Sequence, residues 1–360
     1  MNLIKHVLPV VICTVFLSCE KSENKTQPDG YSQGVYIVNE GSFQASNGSI
    51  SYFDPSRNLI VNGIFEAANN RPLGDVVQSI AVANDTTAYI AVNGSGKVEV
   101  VRLKDFMAIA PPIPVVYPRY FIQVSEGKGY LTAGSMQGWI YIINLMEQDV
   151  VDSLKVGYGP ETMIKLDDQV YVSNSGGWDL DSTVSVVNCI TDEVTSQIQV
   201  GKVPLDLALD AETNIWVYCK GYAQYNWDPP YNLISETDAL LQKVDRETGN
   251  IIWQQAVGKA GDYTATPPKM AISREGTKLF YLRPDGVYAL STDAPAHSST
   301  PLIPGSFYGI EVNPDDGNVY LFESSFTGNG SLKIFDPMGN PVAQGTVGIA
   351  PNGAAFNYSN

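Results

Sequence analysis

One alternating apolar strand recurs seven times along this chain: VYIVN (35–39), AYIAV (88–92), GYLTA (129–133), VYVSN (170–174), IWVYC (215–219), LFYLR (279–283) and VYLFE (319–323). Each is followed, after a polar loop, by a partner strand. The partners end at Asp54, Arg102, Asn144, Asn188, Asp245, Ser291 and Asp336, so successive ends lie 48, 42, 44, 57, 46 and 45 residues apart. A third element, Val-Gly-x-x-Pro, returns at 156–160, 200–204 and 347–351. Period-two alternation, β-branched and aromatic enrichment and intervening turn residues identify strands. Repeats of about 45 residues match the length of a four-stranded propeller blade. No segment has the long 3.6-residue periodicity of a βαβ unit, coils of a β-solenoid would be far shorter, and two sandwiches would not share one repeat. The fold class is therefore all-β, a seven-bladed β-propeller.

The ends explain how such a ring closes. VYIVN occupies the second-strand position of its blade and has no innermost strand before it. After the last Val-Gly-x-x-Pro the chain supplies AAFNY (354–358), a strand without a partner of its own. Moved into blade one, it completes that blade and removes an exposed sheet edge.

Ahead of the repeats, Lys5 precedes an apolar run, Val7 to Leu17, that ends at Ser18-Cys19. A basic start, a short apolar core and a small residue before the cut form a signal-peptide pattern. Phe16-Leu17-Ser18-Cys19 resembles a bacterial lipobox, which implies a lipid on Cys19. The expected organisation is a lipoprotein signal peptide over 1–18, a polar tether over 19–30 and the propeller over 31–360. The acidic start of the tether, Glu20 and Glu23, resembles the signal that carries Bacteroidetes lipoproteins to the outer face of the outer membrane. No later apolar stretch reaches the roughly 18 residues that a membrane-spanning helix needs.

Without residues 1–18 the chain carries 21 basic against 38 acidic residues, a net charge of −17. Such a surface opposes nucleic acid, whose binding depends on Lys and Arg neutralising phosphates. His297 is the one histidine left, which excludes multi-histidine metal sites and disfavours Ser-His or Cys-His catalysis. Cys189 and Cys219 are predicted at opposite ends of neighbouring blades, as buried free thiols.

Several segments together resemble the YncE-like propellers of Bacteroidetes: NEGSFQASNGSISYFDP (39–55), LGD (73–75), VNGSGKVEV (92–100), PRYF (118–121), VYVSN and VGIAPNGAAF. The resemblance covers essentially the whole of the chain after the signal, and the NEG segment is its most specific part. Among these proteins are surface lipoproteins that capture cobalamin and pass it to a TonB-dependent transporter. The resemblance thus implies a propeller on the cell surface, a corrinoid ligand and a transporter partner.

Propeller geometry places the long loops, including 40–48, 175–182 and 220–238, on one face and the tight turns on the other. Binding residues concentrate on loops held by a rigid scaffold. Trp139, Trp178, Tyr225, Trp227 and Tyr231 fall in or beside these loops and suit a large, flat, amphipathic ligand. Asp75, Gln78, Arg119, Tyr120, Glu161, Asp206 and Tyr308, with Lys269 and Asn352, stand at the starts of innermost strands and are expected to line the central mouth. Their mixed charges suit an uncharged or zwitterionic ligand better than a phosphate. Asp54, Asp245 and Asp336 recur at strand ends as turn caps. Asp179 and Asp181 lack the glycine and distal Glu of an EF-hand and are expected in a solvated turn. The leading expectation is a non-enzymatic surface lipoprotein without catalytic residue, metal or cofactor, touching the membrane only through its lipid. An adhesion or surface-layer role is the second expectation. A metal-dependent lyase or lactonase recruiting Glu161, Asp206 and Asn352 is the third.

Overall fold

The computed structural model describes Pro28, residues 30–134 and residues 137–358. The predicted signal peptide and Cys19 lie outside the described residues, as does most of the tether. The described chain forms seven four-stranded antiparallel sheets, plus one two-stranded ribbon. Innermost strands Val77–Ala83, Pro118–Ser125, Pro160–Leu166, Pro204–Leu209, Met270–Ile272 and Gly309–Val312 serve blades two to seven. Blade one takes its innermost strand from the C-terminus: Pro351–Asn357 pairs with Gly34–Asn39, Ile37 facing Ala354 and Val35 facing Phe356. The innermost strands touch their neighbours all the way round the ring.

The core consists of seven clusters, each spanning one blade boundary. Alternation in the second strand produces this arrangement. Tyr36 and Val38 of blade one join Ile80, Ala88 and Ile90 of blade two. Val35 and Ile37, on the other face of the same strand, join Tyr320, Phe322 and Leu332 of blade seven. Both faces are thus covered, and all of Gly34–Asn39 is buried. A side chain of either parity in these strands removes apolar area from water, at about 25 cal/mol per Å².

The Val-Gly-x-x-Pro motif turns one blade into the next. The residue before its proline adopts a left-handed backbone in all three copies: Gly159 (φ 53°), Val203 (φ 56°) and Ala350 (φ 51°). The motif glycine permits close approach. A Cβ on Gly157 would lie 2.5 Å from Cγ of Asn174, and one on Gly348 would lie 2.7 Å from Cγ of Asn39. Those asparagines end the second strands of blades four and one and donate to Ser185 and Ser51.

Turn-face caps follow the sequence reading. Asp54 accepts from the backbone of Ser56, Asp245 from Thr248 and Asp336 from Met338 and Asn340. Cys189 and Cys219 are buried free thiols. Three features differ. A six-residue helix, Ile64–Asn69, crosses from blade one to blade two and buries Ile64 and Phe65. The loop over 220–238 folds into the ribbon, Ala223–Tyr225 against Leu233–Glu236. Asp181 is a tie, not a free turn residue: it is half-buried and accepts from Tyr158 N, Ser182 N and Thr183 Oγ1.

Candidate functional site

The starts of the innermost strands converge on the axis and enclose a cavity of about 810 Å³. Gln78, Arg119, Tyr120, Glu161, Asp206, Lys269 and Tyr308 all line it, as their strand positions predict. Farther along, the wall becomes apolar with Ile122, Ile164, Leu207, Ile272 and Val312.

Arg119 organises the mouth. Its Nε and Nη2 donate to Glu161 Oε2 at 2.9 and 2.6 Å, and its Nη1 donates to Gln78 Oε1 at 2.5 Å. Gln78 Nε2 in turn donates to the Tyr120 hydroxyl at 3.2 Å. Burial opposes charge on Arg119, but the Glu161 carboxylate more than offsets this and holds the guanidinium firmly protonated. Burial also pushes the Tyr120 phenol up. Across the mouth, Glu40 accepts from Tyr308 Oη at 3.2 Å and from Asn352 Nδ2 at 2.8 Å. Glu40 thereby joins the mouth from the end of a second strand, a position the sequence reading left out.

Deeper in lies a second charged group. Lys269 Nζ donates to the carbonyl of Asn352. Asp206 accepts from the backbone N–H of Met270 at 2.9 Å and of Leu207 at 3.0 Å. Burial pushes its carboxyl up to about 6, against the pull of the Met270 N–H and of Lys269. Glu311, in the middle of the innermost strand of blade seven, is pushed up to about 8. Burial is the main cause; Asp206 adds to it and Lys269 opposes it. Strongly perturbed carboxyls inside a cavity mark candidate sites.

Glu311 gives a stability prediction. Its folded pKa is raised from 4.5. The stability it contributes is therefore complete below about pH 4.5 and is lost as pH rises through about 8. Glu311→Gln is expected to melt with the wild type near pH 4 and above it at pH 8 to 9, by a few kcal/mol at most. Melting curves across that range check this, and a gap that does not widen with pH contradicts it.

The remaining predicted site residues do not line the cavity. Asp75 sits beside the mouth, where its carboxylate accepts from Gln44 N. Trp139 is the half-buried first residue of its strand, beside the loop, and pairs with Ala133 and Lys155. Trp178 is 72% exposed and packs edge-on against Tyr117, two residues before Arg119. Phe326 packs edge-on against Tyr308 of the mouth at 5.4 Å. Tyr225, Trp227 and Tyr231 stand out on the ribbon of blade five, with Trp227 94% exposed. Among the described residues, no three His, Cys, Asp or Glu side chains gather as a group that could hold a metal ion.

A family model described as a domain of unknown function (DUF5074) matches residues 33–344. The chain belongs to that family. No curated protein matches the sequence. A quinoprotein alcohol dehydrogenase-like protein from Bacteroides thetaiotaomicron is 14% identical, with a TM-score of 0.65 over 91% of this chain and 79% of its own. The periplasmic gluconolactonase of Pseudomonas aeruginosa is 13% identical, with a TM-score of 0.62 over 90% and 99%. A functionally unknown protein from Desulfotomaculum acetoxidans is 12% identical, with a TM-score of 0.60 over 91% and 100%. Likeness at these identities establishes the propeller fold and leaves each neighbour's activity its own.

Proposed function

We propose that this propeller is a non-enzymatic binding protein, anchored by a lipid on Cys19 at the outer membrane, that captures a nutrient on its long-loop face. The observation that carries this reading is the path from rim to mouth. Exposed aromatics, Phe326 over Tyr308 and Trp178 over Tyr117, lead down to a hydrogen-bonding ring built on Arg119, Glu161, Gln78 and Glu40. An apolar collar above a polar socket fits a large, flat ligand with polar edges.

A corrinoid is the ligand class this reading takes, with a TonB-dependent transporter as the partner that receives it; both come from the YncE-like resemblance of the sequence. The chain's entry supports outward display. Tyr31 N donates to the carbonyl of Lys104, on the turn face, and Gly34–Asn39 runs from there toward the long loops. Tyr31, the point at which the predicted tether would join the propeller, therefore lies on the face opposite the aromatic rim.

Calorimetric titration with cyanocobalamin tests the ligand. Micromolar or tighter binding is expected, weakened about tenfold or more by Trp178→Ala if that ring is an anchor. Absence of heat at micromolar protein would remove the corrinoid from the proposal.

A further inference from the structure

The blades differ in how they end on the outside of the ring. In blades three, four, five and seven the outermost strand has seven to nine residues. In blades two and six it has two, Ile113–Pro114 and Ile303–Pro304. These cover only the first two residues of the third strands, Lys97–Arg102 and Gly286–Ser291.

Blade two covers the rest of its edge with its own chain. Residues 107–109 lie antiparallel along the third strand, with Ala108 bridged to Val101. The N–H of Ile109 donates to the Val100 carbonyl at 3.0 Å, and the N–H of Arg102 donates to the Met107 carbonyl at 2.9 Å.

Blade six has the same edge without that cover. The N–H of Thr292 donates to the Thr277 carbonyl as the N–H of Leu103 donates to the Thr86 carbonyl. Ala289, Leu290 and Ser291 therefore stand where Val100, Val101 and Arg102 stand in blade two. The Val287 carbonyl accepts from the Leu302 N–H on the outer side. Alternate residues of a strand turn their backbone groups to the same side, so the Ala289 carbonyl and the Ser291 N–H face outward as well. Neither has a hydrogen-bond partner among the described residues. The segment that could have supplied one is drawn off the edge: Nδ1 of His297 shares a hydrogen bond with Tyr281 Oη at 3.0 Å, and its ring stacks on Tyr288 at 6.0 Å. A groove of about 700 Å³ remains, lined by Ala289, Leu290 and Ser291 together with Ser298, Thr300 and Leu302.

We propose that this groove is a docking site for an extended peptide segment of a partner protein, which adds antiparallel to residues 289–291 as residues 107–109 do in blade two. That internal precedent sets the chemistry of the segment. A small residue faces Leu290, as Ala108 faces Val101, and apolar residues flank it, as Met107 and Ile109 flank Ala108. The residue after the small one donates its N–H to the Ala289 carbonyl, and the residue before it accepts from the Ser291 N–H. In strand addition of this kind main-chain hydrogen bonds give affinity and alternate side chains give selectivity. The edge lies on the outside of the ring, so docking there is independent of capture at the channel mouth.

The probe is a capped, fluorescein-labelled peptide with the sequence of residues 105–111, titrated against the whole chain by fluorescence anisotropy. Binding at submillimolar concentration is expected, with the Ser291 N–H becoming protected from hydrogen exchange. N-methylation at the isoleucine, which removes the N–H aimed at Ala289, should weaken binding about tenfold. N-methylation at the central alanine, whose N–H points away from the edge, should leave it nearly unchanged. Ser291→Pro removes the edge donor without touching a ladder bond of the sheet and should weaken the peptide about tenfold, with melting curves verifying the fold. The methylated peptides decide the matter on the wild type even where that variant does not fold. No binding at millimolar peptide, equal loss for both methylated peptides, or undiminished binding to folded Ser291→Pro each overturns the proposal. So does protection of the Ser291 N–H in the free monomer, which would mean that the chain covers its own edge. A dimer that forms unaided and disappears in Ser291→Pro would give the edge to a second copy and overturn it too.

Discussion

Deletion of Asn352–Asn360 is expected to abolish the folded monomer. The cut removes all but one residue of the innermost strand of blade one, whose partners are Gly34–Asn39. Loss of that ladder leaves the backbone of Gly34–Asn39 unpaired along one side, in a strand that is otherwise wholly buried. It also strips Ala354, Phe356 and Tyr358 from the cluster between blades seven and one, including the edge contact of Phe356 with Tyr320 at 5.2 Å. Asn357, which donates to the carbonyls of Ser32 and Asp85, goes with them. A propeller without this strand is an open arc with an apolar edge, the arrangement most prone to pairing with another chain. Size-exclusion chromatography should show aggregates and the melting transition should broaden or vanish. A monomer with an unchanged melting temperature would mean that the ring does not depend on its closing strand.

The ring was legible in the sequence because both faces of its second strands are buried. Seven such runs, each flanked by polar loops, repeat at one spacing that few folds share. The Val-Gly-x-x-Pro copies were visible for a related reason: each needs a glycine that can meet an asparagine or cysteine side chain and a left-handed residue ahead of the proline. The helix Ile64–Asn69 was not visible. Six residues are too few to display a helical period, and its ends are set by left-handed Gly63 and Asn70.

The mouth was partly legible. Gln78, Arg119, Glu161 and Asp206 could be placed because strand starts in a propeller converge on the axis. Their pairing could not, since it depends on which neighbours a side chain reaches across blades. Glu311 escaped notice because it lies mid-strand, and the groups that perturb it, Asp206, Lys269 and the Ala354 N–H, come from three other blades.

The second large effect is expected far from the channel, at a buried ion pair on the turn face between blades five and six. Lys243 Nζ lies 2.9 Å from Asp210 Oδ2, with the two side chains 7% and 1% exposed. Asp210 also accepts from the indole Nε1 of Trp216 at 3.1 Å and from the backbone N–H groups of Glu212 and Asn214. Lys243 donates in addition to the carbonyl of Thr292, which ties blade five to blade six. Removing one partner of such a pair strands the other, a loss of about 3–5 kcal/mol; for Lys243 only the largely exposed Glu212, at 3.5 Å, would remain as a carboxylate partner. Asp210→Ala should therefore lower the melting temperature by roughly 6 °C, given the large unfolding entropy of a chain of this size. Lys243→Met should act similarly, since it leaves the Asp210 carboxylate with neutral donors alone. The joint replacement Asp210→Leu with Lys243→Met removes both charges together and should lose less than the sum of the single changes, because neither ion is stranded. Thermal denaturation of the three variants measures that coupling. If the double variant instead loses the full sum, the two residues act independently, and the network around Trp216 rather than the ion pair holds this end of the blade.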